Sequence, residues 1–403
     1  MSKIDELIAE FCPDGVEYRQ LGSCVLNNIG GGTPSRSVER YWRGDIPWAS
    51  VGDINASGIT MGFPRQSISS EGLASSSSKV VPAGWVVVAV KIAPGAMRVV
   101  SAPFAINQDI RGLQLAPILD PHFLTYYFKT ISIVSNGTIV QGITSKRLEG
   151  VQIPLPPLEV QREIVSILDK FTQLEAELEA ELEARRSQYE HTRDQLLDFS
   201  GDLSSHPLRE LIAELCPEGV PLALLGDGVN NRDNERRPVT RELRQSGIYP
   251  YYGANGVQDY VQDFIFDGEF LLVGEDGSVI EASGAPVLNW AEGKIWVNNH
   301  AHVLQERTGG PILRFLYFYL STINVSAFVT GGSQKKINQG NLNNIPIPLP
   351  PLEVQREIVS ILDKLDALVN DLTFGLPAEI SARRKQYEHY RNKLLTFKEL
   401  EAA

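Results

Sequence analysis

Two short segments of the 403-residue chain combine paired cations with hydroxyl and amide side chains. They run from Gln141 to Arg147 and from Thr330 to Asn338, each just ahead of the same repeated sequence. Lys and Arg suit contacts to phosphates, and Ser, Thr, Gln and Asn can hydrogen-bond base edges. One such segment alone would be a solvated loop, but two at equivalent positions favour DNA binding. The predicted contacts are Gln141, Thr144, Ser145, Lys146, Arg147, Thr330, Ser333, Gln334, Lys335, Lys336 and Asn338.

Two arginine-containing segments are weaker candidates for DNA contact. The glycine-rich segment 30–36 ends at Arg36, and the segment 232–244 holds five arginines, beginning with Arg232. Either pattern fits a surface loop as well as a phosphate contact. Arg36 and Arg232 therefore join the predicted DNA contacts, with a surface loop as the alternative for each.

No catalytic constellation accompanies these residues. The sequence lacks a G-x-x-x-x-G-K-[ST] phosphate loop, an Asn-Pro-Pro-Tyr-like motif and a G-x-S-x-G elbow. His300 and His302 have no cysteine or further histidine close by, so they are interpreted as structural rather than metal-binding. Asp53, Glu275 and Asp276 lack the lysine of a nuclease site, and the last two fit better as acceptors for a cytosine amino group or as turn caps. We predict neither a catalytic residue nor a metal site.

The net charge of −12 argues at first against a nucleic-acid partner. Divided by segment, however, the net charge is +1 for residues 1–152, −7 for 153–204, −5 for 205–346 and −1 for 347–403. The acidic excess lies mainly in one helix-like segment. No apolar run is long enough to span a membrane, the N-terminus is not a signal peptide, and the three cysteines suit reduced thiols. A cytoplasmic protein is expected.

An internal repeat divides the chain into four parts. Residues 153–170, IPLPPLEVQREIVSILDK, recur unchanged at 347–364, and ARRSQYEHTRDQLLDF at 184–199 is matched by ARRKQYEHYRNKLLTF at 382–397. CPDGV near the N-terminus recurs as CPEGV at 216–220. The predicted domains are module one (1–152), spacer one (153–204), module two (205–346) and spacer two (347–403).

Each spacer is predicted to be a long helix that begins after the proline cluster. Apolar residues recur at alternating three- and four-residue steps, which is the seam of a coiled coil. Four extra residues around Pro377 predict a kink in spacer two. Because a lone amphipathic helix is unstable in water, the two spacers are expected to pair antiparallel and return the C-terminus to module one. The result would be a pseudo-twofold, circular arrangement.

The modules are predicted to be mixed α/β, with strand-like runs at Trp85–Val90 and Phe270–Val273 and helical patterns at 122–130 and 313–320. The fold class is therefore α+β. Packing explains the repeated apolar residues, but identical polar residues in both spacers suggest two copies of one partner, with a pure scaffold as the alternative. The predicted docking residues are Glu159, Gln161, Arg162, Glu163, Glu353, Gln355, Arg356 and Glu357.

These motifs resemble the specificity subunit of type I restriction-modification systems. The duplicated spacer, GDIPWASVGDI at 44–54 and YPYYGANGVQDYV at 249–261 carry the resemblance over essentially the whole chain. It implies a non-catalytic subunit with two target recognition domains, each reading half of a bipartite DNA site. It also implies docking of two adenine methyltransferase subunits and of restriction-translocase subunits. S-adenosylmethionine, ATP and magnesium would belong to those partners, with no cofactor in this chain.

The repeated LEAE units between Leu174 and Ala184, present in spacer one only, resemble repeats that set the gap between half-sites in this family. The alternative to DNA reading is an assembly scaffold whose modules bind protein. Such a scaffold would have no salt-dependent affinity for DNA.

Overall fold

Residues 3–55, 58–131, 142–277, 279–332 and 334–400 are described by the structure, a computed structural model. They form two compact units: unit 1 comprises residues 1–179 and 379–403, and unit 2 comprises residues 180–378. The N-terminal and C-terminal parts of the chain therefore share a unit, as the repeat pattern predicts. None of the helices in the described residues is both long and apolar enough to cross a lipid bilayer.

The described helices range from single turns to one helix of 40 residues. They are α1 Lys3–Phe11, α2 Val51–Ile54, α3 Ser70–Ala74, α4 Pro121–Phe128, α5 Ser145–Glu149, α6 Leu158–Leu197, α7 Arg209–Leu215, α8 Leu225–Gly228, α9 Leu313–Leu320, α10 Gln339–Asn343, α11 Leu352–Asn370 and α12 Leu376–Leu394.

Unit 1 contains two mixed sheets and a strand pair. Its strands are β1 Tyr18–Gln20, β2 Val25–Gly30, β3 Ile46–Ala49, β4 Thr60–Met61, β5 Gln66–Ile68, β6 Lys79–Val81, β7 Val86–Ala89, β8 Met97–Val100, β9 Phe104–Ile106, β10 Ile110–Leu115 and β11 Gln152–Pro154. The strand orders are β2-β10-β7-β8-β4 and β5-β3-β9-β6, while β1 pairs with β11. The β-branched run of β7 is buried on both faces because hydrophobic clusters lie on each side of the sheet.

In unit 1 the first part of α6 packs antiparallel on α12. Phe171 stacks on Tyr390 with ring centroids 5.6 Å apart, and one turn further along α6 Glu175 accepts from Arg384 at 2.5 Å. Residue numbers rise along one helix as they fall along the other, which is the predicted antiparallel pairing. The ion pair is exposed and adds little free energy, so the aromatic seam holds the pair together.

The C-terminal residues complete unit 1. The Val16 amide donates to the Lys398 carbonyl at 2.8 Å, Leu400 donates back to Val16 at 3.0 Å, and the Tyr18 hydroxyl donates to the Phe397 carbonyl at 3.2 Å. Val16, in the CPDGV segment, is buried by this contact. The prediction that the C-terminus returns to the CPDGV segment is confirmed.

Unit 2 is built on one larger mixed sheet. Its strands are β12 Leu222–Leu224, β13 Val229–Asn231, β14 Ser246–Gly253, β15 Gly256–Val261, β16 Phe266–Gly274, β17 Leu288–Val297, β18 Ala301–Glu306 and β19 Pro346–Pro348. The order is β13-β18-β16-β17-β14-β15, and β12 pairs with β19. Helix α9, α11 and the second part of α6 pack on one hydrophobic core. The α+β class and the mixed modules are confirmed.

Spacer two is interrupted where a kink was predicted. Helix α11 ends at Asn370, and α12 begins at Leu376. The Asp371 carboxylate accepts from the amides of Thr373 and Phe374 at 2.6 and 3.2 Å, which offers the backbone an alternative to the helix. Pro377 lies in the first turn of α12, where a proline is tolerated. The four extra residues therefore form a turn between two helices.

A buried glutamine ties each spacer to its module. Gln161 is fully buried; its carbonyl oxygen accepts from the Asp120 amide at 2.8 Å, and its amino group donates to the Ile118 and Pro156 carbonyls. Gln355 is 2% exposed and makes the matching bonds to the Ile312 amide and the Pro350 carbonyl. The prediction that these two glutamines face a docking partner is wrong, because their polar atoms are consumed inside the fold.

We expect Gln161→Ala to lower the free energy of unfolding by about 3 kcal/mol, because it leaves one buried and two part-buried backbone groups without their partner. Gln355→Ala should have a similar effect on unit 2. Denaturant titration followed by far-ultraviolet circular dichroism measures both. The neighbouring Arg162→Ala is the control, since an exposed side chain should change stability by less than about 0.5 kcal/mol. Equal losses in all three variants would contradict the anchoring role.

Candidate nucleic-acid interface

The polar segment of module one continues into a short helix. The Ile143 amide donates to the Val90 carbonyl at 2.8 Å, which fixes the segment to the end of β7. Thr144 is the N-cap of α5 and accepts from the Arg147 amide at 3.3 Å. Lys146 and Arg147 are exposed on the first turn, and Ser145 is half-buried. Gln141 lies outside the described residues.

The polar segment of module two is a closed loop. Thr330 and Lys336 exchange two backbone hydrogen bonds of 2.7 and 2.8 Å, so the residues between them form its tip. Gly331 has φ +89°, and a Cβ there would lie 2.1 Å from the Gln334 carbonyl oxygen, so only glycine fits. Gln334 and Lys335 are exposed. Ser333 lies outside the described residues.

The two basic pairs do not occupy equivalent positions. Asn338 is the N-cap of α10 and accepts from the Asn341 amide at 2.8 Å, so it corresponds to Thr144. Lys146 and Arg147 follow the N-cap of their helix, whereas Lys335 and Lys336 precede the N-cap of theirs. The two segments occupy equivalent places ahead of the repeat, but the cations within them do not. What the modules share is the capped short helix, and each adds its cations at a different point.

Buried charges fasten the loop of module two to the sheet. Glu275, directly after β16, accepts from Arg236 at 2.5 Å and from the Lys336 amine at 3.0 Å. The backbone adds two bonds: Ile337 donates to the Glu275 carbonyl at 2.9 Å, and Gly277 donates to the Lys335 carbonyl at 3.0 Å. Lys336 is therefore neutralised by Glu275 and acts as an anchor. Lys335, which has no ion pair among those described, is the cation that the loop presents.

Burial alone would raise the pKa of Glu275, but the hydrogen bonds from Arg236 and Lys336 outweigh it and hold that pKa below its ordinary value. Asp233 behaves in the same way: burial is opposed by the hydrogen bond and charge of His302, and its pKa is lowered. Both carboxylates are thus held ionised beneath the loop.

Asp233, Glu275 and His302 also bring three potential metal-ligand atoms within 4.8 Å of one another. Their bonds are taken up inside the protein. His302 joins the Asp233 carboxylate at 2.5 Å and the Ile337 carbonyl at 2.8 Å, and Arg236 lies 3.5 Å from Asp233. Protein cations stand where an ion would be needed, so the cluster fits a structural role. The interpretation of Glu275 as a free acceptor for a base is wrong for the same reason.

The weaker arginine candidates are both engaged. The Arg36 guanidinium lies 3.8 Å from the Trp42 ring centroid and donates to Gln66 at 3.2 Å, while the side chain stays exposed. Arg232 binds the Glu235 carboxylate and the Gln305 carbonyl oxygen, and these bonds hold it within unit 2. Arg36 is presented on an aromatic platform, whereas Arg232 stabilises its own loop.

Five of the eight predicted docking residues are exposed on the surfaces of the spacers. The exposed members are Glu159, Arg162, Glu353, Arg356 and Glu357; Glu163 is half-buried. Two other repeated residues bind within the chain: Asp169 accepts from the Tyr126 hydroxyl at 2.7 Å, and Asp363 accepts from Arg314 at 2.8 Å. Part of the identity between the spacers therefore comes from anchoring to the modules.

Sequence reasoning missed the support beneath the module two loop and the buried cation Arg98. Arg236, Glu275 and His302 are far apart in sequence, and only the pairing of β16 with β18 brings the last two together. The signal for Arg98 was present: an arginine stands in the otherwise apolar strand β8, with no acid nearby in the sequence.

Comparison with known proteins gives consistent similarities. A family model described as the type I restriction modification DNA specificity domain matches residues 13–184 and 225–382. A type I restriction enzyme EcoprrI specificity subunit from Escherichia coli is 31% identical over 381 residues, which cover 89% of this chain and 90% of that protein. A putative type I restriction enzyme specificity subunit from Haemophilus influenzae is 46% identical over 182 residues, but the match spans 44% of this chain and only 46% of that relative.

Solved structures match the fold. The crystal structure of a type I restriction-modification S subunit from M. genitalium aligns with a TM-score of 0.59 at 17% identity, covering 94% of this chain and 96% of that chain. This similarity shows a shared fold.

We expect Glu275→Gln to destabilise unit 2 by about 3 kcal/mol at pH 7, because Arg236 and Lys336 lose their charged partner. Because the pKa of Glu275 is lowered in the folded protein, the free energy of unfolding that its charge adds is fully present above about pH 4.5. This contribution is lost as the pH falls through the lowered pKa of Glu275. Denaturant unfolding at a series of pH values measures the difference. Glu269→Gln, an exposed position in β16, is the control. A pH-independent difference would contradict the charge argument.

Proposed function

The chain belongs to the family of type I restriction-modification DNA specificity subunits, and on that premise we propose how its parts share the reading of DNA. It is the DNA sequence-recognition subunit of such a complex and is not itself an enzyme. We infer that its two recognition domains, residues 1–152 and 205–346, each read one half of a bipartite site. Residues 153–204 and 347–403 are the spacers between them.

One observation supports this division most directly. In each unit an N-capped short helix and a short strand lead into the same spacer sequence, with exposed cations on the helix itself in unit 1 and in the loop ahead of it in unit 2. Lys146, Arg147 and Lys335 are proposed to contact phosphates, and Thr144, Ser145, Gln334 and Asn338 to bond to phosphates or base edges. Thr330 and Lys336 shape the loop, and Arg36 is a candidate in unit 1. Gln141 and Ser333 remain proposed contacts from the sequence.

The partners are assigned to the spacers. Two modification subunits, which would bring S-adenosylmethionine, are proposed to dock on the exposed repeated residues, and restriction subunits, which would bring ATP and magnesium, would complete the assembly. Identical exposed charges at two sites suit two copies of one partner. A cytoplasmic location follows from the DNA target. The proposed docking residues are the exposed Glu159, Arg162, Glu353, Arg356 and Glu357, together with the half-buried Glu163.

The competing function is an assembly scaffold whose modules bind protein. The exposed cations and amides of the two segments favour DNA, because a protein-binding surface is usually depleted in lysine at its core. Salt dependence distinguishes the two functions. DNA contacts release counterions, so the affinity of a DNA-reading subunit for DNA must fall as the salt concentration rises, whereas a scaffold would show no salt-dependent affinity for DNA.

Co-expression with the modification subunits, followed by mapping of N6-methyladenine, should yield one bipartite motif with a fixed gap. Lys335→Ala should lower the methylated fraction of sites without changing the gap, since it removes one contact at one half-site. Lys294→Ala, an exposed lysine in the same unit, is the control. A single continuous motif, or no methylation in the wild-type complex, would overturn the proposed division.

Deleting one LEAE unit, for example residues 178–181, removes one turn from α6 and shortens it by ~6 Å. We expect the gap between half-sites to shorten by about two base pairs at ~3.4 Å each, with both half-site sequences unchanged. The same methylation map reads the result. Replacing residues 178–181 with AAAA keeps the helix length and is the control, so a shortened gap there would contradict the ruler.

A further inference from the structure

A cleft of about 340 Å³ in unit 1 contains a buried arginine without a carboxylate partner. Arg98, in β8, is 7% exposed, and its guanidinium donates to the Met97 carbonyl at 3.1 Å. Burial lowers the pKa of Arg98, and no acidic group offsets that effect. A buried charge without a partner is costly, so its retention calls for a function.

In the part of the chain that the structure describes, no acid at the cleft pairs with Arg98. Among the described residues, none of the cleft-lining side chains is a carboxylate. Residues 56–57 and 132–141, which lie outside the described part of the chain, contain neither Asp nor Glu in the sequence. The neighbouring Asp53 is bound to Arg65 at 2.8 Å.

Two further cations add to the positive field. Lys129 directly follows α4, is exposed at the cleft, and donates to the Gly58 carbonyl at 3.2 Å. Partial exclusion of water and the like charges of Arg98 and Arg391 lower the pKa of Lys129 to about 8. Arg391, on α12, donates to the side-chain oxygen of Asn392 at 3.1 Å and has no described ion pair. The like charges of Arg98 and Arg391 acting on Lys129 favour an anion beside it.

A strained loop forms one wall of the cleft. The connection between β7 and β8 contributes Pro94 and Gly95 to the lining, and Ile92 in the same connection has φ +70°. A β-branched residue rarely adopts this conformation, and such strain concentrates where ligands are clamped. The Gly95 amide donates to the Ala89 carbonyl at 2.9 Å, which holds the loop in place.

The competing explanation is that the cations offset the negative C-terminal end of α4. Two carbonyls in the last turn of α4, those of Tyr126 and Tyr127, already accept from the amides of Lys129 and Thr130. Arg98 donates to Met97 in its own strand and to none of the α4 carbonyls. The helix end therefore accounts for neither the burial nor the orientation of Arg98.

We propose that this cleft, formed by Arg98 and Lys129 with Arg391 nearby, binds a phosphate group. A guanidinium and an ammonium group together match the geometry and charge of phosphate oxygens. A backbone phosphate of DNA is the source that fits a DNA-reading unit, and this identification of the source rests on the proposed function. Binding of the phosphate group itself does not.

The first test uses the full chain and inorganic phosphate. In phosphate-free buffer Arg98→Met should be at least as stable as the wild type, because it removes an unpaired buried charge at nearly constant length. Phosphate is then added at constant ionic strength, with chloride as the comparison. It should raise the midpoint of thermal unfolding of the wild type and of the control Lys79→Met. It should not raise the midpoint of Arg98→Met or Lys129→Met. Equal shifts in all four proteins, or no shift in any, would overturn the proposal.

The second test identifies the source with the chain assembled with its modification subunits. Arg98→Met should weaken binding to the bipartite duplex about tenfold, the size expected for one charge-assisted hydrogen bond. The slope of log affinity against log salt should fall by about one, with the preference for cognate over scrambled sites unchanged. A phosphate shift with unaltered DNA binding would support the cleft and assign it to a free phosphate compound. Failure of the wild-type complex to bind DNA would overturn the proposed function, while the first test still decides the cleft.

Discussion

The buried carboxamides of Gln161 and Gln355 set the geometry on which both units depend. Each is placed in the first turn of a spacer helix and satisfies backbone groups of the module before it. An amide carries both an acceptor and donors, so it can bridge a module amide and carbonyls that would otherwise be buried without partners. The direction in which each spacer leaves its module is thereby fixed. A docking surface on that helix then has the same position relative to each module.

This constraint changes the meaning of the repeated sequence. Identical polar residues in the two spacers suggest a partner, yet Gln161 and Asp169 bind within the chain, as do Gln355 and Asp363. The evidence for docking now depends on the exposed charges alone. Those charges lie on the same helical turns as the buried glutamines, so one short sequence both attaches the module and carries the charges that we propose as a docking surface. Selection on either task preserves the other.

The sequence predicted the elements better than the site. Periodicity identified α4, α9 and the spacers because their apolar residues face one core each. It did not resolve the interruption of spacer two, where the Asp371 side chain competes locally with helical bonding, nor the burial of Gln161, which looks like any polar residue on a helix. The support under the module two loop could not be predicted, because strand pairing alone brings Glu275 to His302. Loop geometry also decided that the two basic pairs are not equivalent.

The two units differ in how their cations are used, which resolves the puzzle of an acidic DNA-reading chain. In unit 2, Arg236, Arg244 and Lys336 are paired with carboxylates, and Lys335 is the exposed cation of the loop. In unit 1, Arg98 has no such pair and Arg36 stands exposed on an aromatic ring. Phosphate attraction should therefore be stronger at unit 1, whereas unit 2 depends more on a rigid, hydrogen-bonding loop. A rigid loop loses little conformational entropy on binding, so it can read bases without a strong electrostatic contribution of its own. Net charge is then a poor measure of DNA affinity, because cations that are paired with carboxylates add little attraction for phosphate.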